Sequence, residues 1–128
     1  GRYSIGYNSD MSAFAPKAHL TAPIWNWGII YKMVAKQVHK GTWNNYQYWG
    51  GLKDGVVGLA SFNKAVPQAV RDRVSKLKGE LASGKFDVFE GTIKDQKGKV
   101  RQSSGKMSDR DMLGMSFFVD GVIGTIPK

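Results

Sequence analysis

The chain has 128 residues, enough for one domain with a hydrophobic core, and its 41% hydrophobic and 23% charged residues are close to the globular average. It has no cysteine, which excludes disulfides and thiolate metal sites, and no apolar run of about 18 residues that could span a bilayer. The net charge of +9 would suit a nucleic-acid or membrane-surface partner, but the basic residues are dispersed, without a run of about five like charges. The charge pattern therefore favours solvated faces over a nucleic-acid site.

The first part of the chain reads as strand, polar loop, strand and helix. Residues 3–7 and 19–24 are short β-type runs, and turn formers at 8–10 follow the first of them. Apolar residues at helical spacing then predict a helix that Asn26 could cap and that Gly41 would end. Because the chain opens inside a predicted strand and shows no signal-peptide pattern, we expect a piece of a longer protein.

The remainder continues the alternation of strands and helices. An aromatic stretch at 43–49 precedes a short strand at 56–59, and a helix is predicted from Pro67 to a C-cap at Gly84. Residues 93–101 predict a surface hairpin, and a capping-box-like pattern at 108–111 predicts a short helix. This order predicts an α/β fold in which at least part of the sheet is parallel.

The sequence offers no catalytic constellation. It has two histidines, no serine in a Gly-x-Ser-x-Gly elbow and no Walker-type phosphate loop. His19 is interpreted as a structural residue beside the polar loop, and His39 as a solvated residue near a helix end. Two such histidines make no zinc signature, and Asp109 and Asp111 fit the start of a helix. We therefore expect no enzyme activity, no catalytic residue, no bound metal and no cofactor.

Binding is the remaining class of function. Asn8, Ser9 and Asp10 follow the carboxyl end of the first predicted strand, where open α/β sheets hold their ligands. These residue types also form ordinary turns. From spacing alone, a polar ligand-binding cluster and a plain turn are equally supported.

The tryptophans offer a second candidate surface. Trp25 and Trp27 flank Asn26 after the second predicted strand, so they could form a ring platform with a hydrogen-bonding partner. The competing interpretation is packing beneath the following helix, which we expect for one of the two. Trp43 and Trp49 are interpreted as structural.

Residues 5–10 resemble the segment that members of the basic membrane protein family write as Gly-Val-Asp-Ser-Asp-Gln. The likeness continues through Leu-Thr at 20–21 and its helix, through the glycine-rich stretch 48–59, and through 93–100 and 121–124. It covers nearly all of this chain but only the C-terminal part of a usual family member. Members of this family are solute-binding receptors of ABC importers for purine nucleosides and related ligands.

The resemblance implies a type I periplasmic-binding-protein fold, in which two Rossmann-like α/β lobes close on a ligand about a hinge. It places 1–48 in the C-terminal lobe, 49–57 in a crossover or hinge, and 58–90 in the N-terminal lobe. It assigns 91–128 to a tail that carries the hairpin and returns across the hinge. It also implies a permease partner and a periplasmic or cell-surface location, through an N-terminal lipid anchor not contained in this chain.

The family's ligand contacts can be carried over by position. The first acid of the motif corresponds to Asn8, the second is retained as Asp10, and a lysine of nucleoside-binding members falls at or near Trp25. A carboxylate and an ammonium suit ribose hydroxyls, whereas an amide suits a purine edge and an indole suits a ring face. We therefore expect a purine-type ligand, with a nucleobase such as adenine preferred to a nucleoside. The alternatives are a basic nucleic-acid-binding domain and a surface antigen that binds lipid or peptide.

Overall fold

The computed structural model describes residues 1–126 and divides the chain into two compact units, Gly1–Lys85 and Phe86–Lys128. Residues 127 and 128, part of the predicted tail, lie outside the described range. The elements of the first unit are β1 (Pro23–Trp25), α1 (Trp27–His39), β2 (Val57–Leu59) and α2 (Gln68–Ser83). Those of the second are β3 (Ile93–Lys94), β4 (Val100–Gln102) and α3 (Asp109–Leu113). Over residues 1–126, no helix is both long and apolar enough to cross a bilayer.

The strands of the first unit pair differently from the sequence-based expectation. β1 and β2 are antiparallel, with Pro23 opposite Leu59 and Trp25 opposite Val57. The predicted strand at 3–7 is reduced to a single parallel bridge between Ser4 and His19. Parallel pairing is therefore present at this bridge, whereas the extended strands described here pair antiparallel.

Helix α1 ends as predicted but begins differently. Gly41 follows it at a φ of 67°, and its N–H donates to the Val38 carbonyl, which satisfies an otherwise unpaired group at the helix end. Asn26 occupies the N-cap position, yet its side chain makes no capping hydrogen bond. Instead it donates to the Gly55 carbonyl at 2.6 Å. Asn26 is therefore at the predicted N-cap position, but the predicted capping hydrogen bond is absent. Its side chain instead connects the start of the helix to the turn at Gly55.

Helix α2 has an apolar stripe of residues at helical spacing, Val74, Leu77 and Leu81, that faces the β1–β2 sheet. Pro67 precedes the helix with extended backbone rather than forming its first residue, and Gly84 ends it at a φ of 73°. Helix and sheet together line a shallow apolar cavity of about 220 Å³ whose lining includes Val57, Leu59, Val74, Leu77 and Leu81. The stripe therefore holds α2 against the sheet.

The core of the first unit consists of small side chains. Its buried hydrophobic residues are Ala22, Val56, Ala60 and Val66. Thr21 is also buried, and its hydroxyl donates to the Ala60 carbonyl at 2.8 Å, so the polar group does not lack a partner. Ala22 and Val56 directly precede β1 and β2, and Ala60 directly follows β2, so most of this core adjoins the two strands.

The second unit is organised around the hairpin predicted from the sequence. The Asp95 side chain, 6% exposed, accepts hydrogen bonds from the backbone N–H groups of Lys97 and Lys99 and from Arg101 Nε at 2.8 Å. Burial by itself raises the pKa of Asp95, but these hydrogen bonds outweigh it and bring the pKa below the usual value of 3.8. The short helix α3 is also confirmed, and the Ser108 hydroxyl accepts from the backbone N–H of Asp111, which caps it.

Candidate ligand-binding site

An apolar cavity of about 430 Å³ lies in the first unit where β1, the start of α1 and the start of β2 meet. Its volume is in the range of sites that hold small organic molecules. Three stretches of the chain line it, and they contribute mostly aromatic and aliphatic side chains: Trp25, Trp27, Ile30, Tyr48, Trp49, Gly50, Val56 and Val57.

Two of the residues predicted for the site touch each other. Trp25 Nε1 donates a hydrogen bond of 2.7 Å to Asn8 Oδ1. Asn8 has a φ of 65°, a left-handed conformation that asparagine tolerates better than most residues. The turn at Asn8 therefore directs its amide to the tryptophan that lines the cavity.

Asp10, the third predicted site residue, lies in the same loop as Asn8, and its carboxylate contacts Ser12 and His19. Its Oδ1 accepts from the backbone N–H of Ser12 at 2.9 Å and lies 3.3 Å from Nε2 of the buried His19. The Ser12 backbone hydrogen bond, and secondarily the Ser12 side chain and His19, lower the pKa of Asp10 below 3.8 despite a smaller opposing effect of desolvation. Asp10 does not line the cavity, so the structure joins it to Asn8 through the loop rather than through a shared surface.

Trp25 at the end of β1 and Trp27 at the start of α1 form an exposed aromatic row. Trp25 and Trp27 have ring centroids 6.1 Å apart, and Trp27 stacks on Tyr31 at 6.3 Å with an interplanar angle of 16°. Trp25 is 42% exposed and Trp27 53% exposed. The expectation that one of them packs as core is therefore wrong, because both rings are exposed and the buried hydrophobic residues of this unit are small aliphatic ones.

A second aromatic segment, missed by the sequence interpretation, also lines the cavity. Trp49, taken as structural, is 61% exposed and contributes to the lining with Tyr48. A Cβ on Gly50 would overlap the Tyr48 ring, so glycine is needed for the ring to fold over the backbone there. Burial, and then the nearby Asp54, raise the pKa of the Tyr48 hydroxyl above 10.0. The sequence feature that could have identified this segment is the pair of aromatic residues Tyr48 and Trp49 followed directly by Gly50 and Gly51.

Side-chain hydrogen bonds hold the segments around the cavity in position. Tyr46, in the aromatic segment, is bonded to Gln37 of α1 at 3.2 Å, and Asn26 holds the turn at Gly55. Asn26 is thus not the hydrogen-bonding partner of a ring platform. Among residues 1–126, no three histidine or acidic side chains converge to hold a metal ion. The arrangement can bind a flat apolar molecule against its rings; of the three predicted site residues, Trp25 lines the cavity, and Asn8 is connected to it through the hydrogen bond to Trp25.

The first unit thus combines helices and strands with an apolar cavity of a size that suits a small organic molecule. Residues 1–95 match the family described as ABC transporter substrate-binding protein PnrA-like. The chain therefore belongs to this family, also named Bmp, and the resemblance to basic membrane proteins is confirmed.

Two curated relatives match along the whole chain. A purine-binding protein of Brucella abortus is 37% identical over 129 residues, covering 100% of this chain and 37% of the relative. A putative ABC transporter glucose-binding protein of Haloferax volcanii is 30% identical over 128 residues, covering 100% of this chain and 30% of the relative. The chain thus spans about a third of the length of these relatives.

A solved structure shows a similar fold. It is a transcriptional activator of the comK gene from Bacillus halodurans, with a TM-score of 0.59, 24% identity, and coverage of 67% of this chain and 30% of that one. Together with the family, it confirms the predicted fold class: an α/β chain corresponding to part of a periplasmic-binding-protein fold. The family is one of extracytoplasmic solute-binding transport proteins rather than enzymes.

Proposed function

We propose that the chain forms part of the receptor of an ABC importer and binds a purine-type ligand, with a free nucleobase such as adenine preferred to a nucleoside. The observation that carries this proposal is the hydrogen bond from Trp25, a residue that lines the apolar cavity, to Asn8. The relative described as purine-binding supports the ligand class.

The cavity lining suits a heteroaromatic ring. Trp25, Trp27, Tyr48 and Trp49 supply aromatic surface, and a purine can stack on such rings whatever its substituents. A cavity of about 430 Å³ has room for a nucleobase. Stacking would supply most of the affinity, and polar contacts would set the orientation.

The amide of Asn8 would provide the orientation. Because its Oδ1 already accepts from Trp25, the amide offers its N–H groups, and the unsubstituted ring nitrogens of a purine are hydrogen-bond acceptors. The family resemblance implies that Asn8 stands where nucleoside-binding members have an acid, and that their lysine falls at or near Trp25. Compared with those members, this chain would offer the ribose hydroxyls of a nucleoside two fewer charged partners. This difference favours binding of the free base.

The lobe assignments belong to the same proposal. We infer from the family resemblance that 1–48 lies in the C-terminal lobe, 49–57 in the crossover, 58–90 in the N-terminal lobe, and 91–128 in the tail that returns across the hinge. The cavity would then open into the interlobe cleft. The partner would be the cognate permease, and lipid anchoring would hold the receptor at the membrane outside the cytoplasm.

Isothermal titration calorimetry with adenine, adenosine and glucose tests the ligand class. We expect adenine to bind at least about tenfold more tightly than adenosine, the equivalent of about 1.4 kcal/mol. Adenosine binding as tight as adenine would contradict the nucleobase preference. Binding of glucose alone would contradict the purine class.

A further inference from the structure

Tyr48 brings a hydroxyl group to a cavity whose other lining side chains are aliphatic or indole. It is the least exposed of the four aromatic residues in the lining, at 38% against 42% for Trp25 and 61% for Trp49. An indole N–H can only donate a hydrogen bond, whereas a phenol can both donate and accept one. Among residues 1–126, Tyr48 is therefore the one lining residue whose side chain offers both possibilities to a ligand.

The hydroxyl end of the Tyr48 ring lies against the wall of the cavity. A Cβ built on Gly50, itself a lining residue, would lie 2.6 Å from the Tyr48 hydroxyl oxygen and 2.7 Å from Cζ. The phenol is therefore folded back over the Gly50 backbone. Because only glycine leaves room for this approach, the backbone at this position determines where the oxygen lies.

The Tyr48 hydroxyl has no hydrogen-bond partner within residues 1–126. The hydroxyl of Tyr46, two residues earlier, is by contrast 3.3 Å from Gln37 Oε1 and bonded to it. Asp54, whose charge acts on Tyr48, accepts from the backbone N–H of Gly51 at 3.1 Å instead. An unpaired polar group in an apolar lining gains free energy from a ligand atom that pairs with it.

The hydroxyl of Tyr48 is available as a donor at neutral pH. Desolvation, and then the negative charge of Asp54, raise the pKa of Tyr48 above 10.0, so the oxygen keeps its proton. Trp25 Nε1, another donor among the lining residues, already donates to Asn8. A hydrogen-bond acceptor on the ligand would therefore find Tyr48 uncommitted.

We propose that Tyr48 is a further ligand-binding residue of this site, whose hydroxyl donates a hydrogen bond to an unsubstituted ring nitrogen of a flat heterocycle stacked in the cavity. The inference rests on the proposed function for the identity of that heterocycle, a purine base. The contact itself requires only an aromatic ring with an acceptor nitrogen. Tyr48 thereby selects nitrogen heterocycles over rings of the same shape that present a C–H at that position, because such rings leave the hydroxyl unpaired.

The first test pairs the hydroxyl of Tyr48 with one ring nitrogen of adenine. Calorimetry compares adenine with the deazaadenines, in each of which a C–H replaces one ring nitrogen, in the wild type and in Tyr48→Phe. We expect the wild type to prefer adenine about three- to tenfold over at least one analogue, and Tyr48→Phe to bind that analogue and adenine equally. Tyr46→Phe is the matched control and should keep the preference, since the Tyr46 hydroxyl bonds to Gln37 and does not line the cavity.

Two results of this comparison would overturn the proposal. One is that every preference of the wild type for adenine survives in Tyr48→Phe. The other is that the wild type binds adenine and all the analogues equally. Loss of the preference in Tyr46→Phe as well would show that it depends on the segment and not on the Tyr48 hydroxyl.

The second test uses probes that are not purines, so that a wrong ligand class and a wrong contact are told apart. Indole and 7-azaindole have the same shape and differ by one acceptor nitrogen in place of a C–H, and the cavity of about 430 Å³ has room for either. In titrations followed by ¹H–¹⁵N spectra, we expect azaindole to bind several-fold more tightly than indole to the wild type and to Tyr46→Phe, and both to bind Tyr48→Phe equally. Equal binding of the two probes by the wild type would contradict the role of Tyr48. A preference for azaindole that requires Tyr48, without adenine binding, would refute the proposed ligand and leave the Tyr48 contact supported.

Discussion

Trp25 Nε1 and Asn8 Oδ1, in residues 17 positions apart, are joined by a hydrogen bond of 2.7 Å. The bond links the turn at Asn8 to the end of β1, and it holds the ring of Trp25, which lines the cavity. A side chain that lines a pocket binds a flat ligand best when its ring is already oriented, because less conformational entropy is then lost on binding. This pair is therefore where we expect substitutions to be most informative.

Replacing Trp25 with phenylalanine should weaken adenine binding about fivefold. The variant keeps an aromatic face but removes the N–H donor, and a lost hydrogen bond of this kind costs about 1 kcal/mol. Calorimetry measures the change. Trp27→Phe leaves the Trp25–Asn8 bond intact, so equal losses in the two variants would show that the bond itself does not matter.

Replacing Trp49 with alanine should reduce the affinity for adenine by roughly tenfold or more. Stacking between a base and an aromatic side chain contributes about 1–3 kcal/mol when tested by alanine substitution. Trp43 is the control, since it is 51% exposed and does not line the cavity. Quenching of tryptophan fluorescence on titration gives the affinities. A similar loss in Trp43→Ala would point to a general effect on the segment.

Replacing Gly50 with alanine should reshape the cavity without unfolding the first unit. The new methyl group would overlap the Tyr48 ring, and the ring would have to swing away from the backbone. We expect a several-fold loss of adenine affinity and a changed near-UV circular dichroism spectrum, with little change in the unfolding midpoint. Gly51→Ala is the matched control, because its methyl group would meet nothing within 4 Å. An unaltered spectrum in Gly50→Ala would contradict the prediction.

Replacing Asn26 with serine should destabilise the first unit by about 1 kcal/mol, although serine is a good N-cap residue. The reason is that Asn26 donates to the Gly55 carbonyl and makes no side-chain capping bond. Urea denaturation followed by tryptophan fluorescence measures the free energy of unfolding. If Asn26→Ser proved as stable as wild type while Asn26→Ala did not, capping would be the dominant role after all.

The hairpin of the second unit should lose stability at low pH. The folded-state pKa of Asp95 is lowered from 3.8, so its contribution to stability is fully present above the unfolded pKa and is lost as pH falls through the folded pKa. We expect the hairpin amide signals in NMR spectra to weaken below about pH 4, near the ordinary pKa of aspartate. Asp95→Asn should remove this acid dependence and lower stability at pH 7. Asp120→Asn, at an exposed position of the same unit, should leave it unchanged.

The sequence predicts those features that a few neighbouring residues determine. Gly41 and Gly84 end their helices, Ser108 caps α3, and the hairpin turns at Asp95, because each depends on local dihedral angles and short-range hydrogen bonds. Asn8 and Trp25 were each singled out, yet nothing in their spacing predicted their contact. The family assignment, likewise, came from a combination of motifs rather than from any single one.

The sequence interpretation missed features that depend on residues far apart in the chain. The Asn26 side chain bonds to a carbonyl 29 residues away, so its N-cap position gave the wrong role. Trp49 was interpreted as structural, whereas it is 61% exposed and lines a cavity together with residues more than 20 positions earlier in the chain. The strand predicted at 3–7 is reduced to one bridge, at Ser4, whose partner is His19, 15 residues further along the chain.

The left-handed backbone of Asn8 has a consequence for how this receptor family can diversify. At a φ of 65° most side chains are strained, and asparagine, aspartate and glycine are the residues that adopt it readily. Asparagine and aspartate are also neighbours in the genetic code, so one mutation exchanges a neutral donor for an anionic acceptor with the turn preserved. If Asn8 contacts the ligand as proposed, the same backbone that limits the residues allowed at this position would also limit the ligand chemistries open to it.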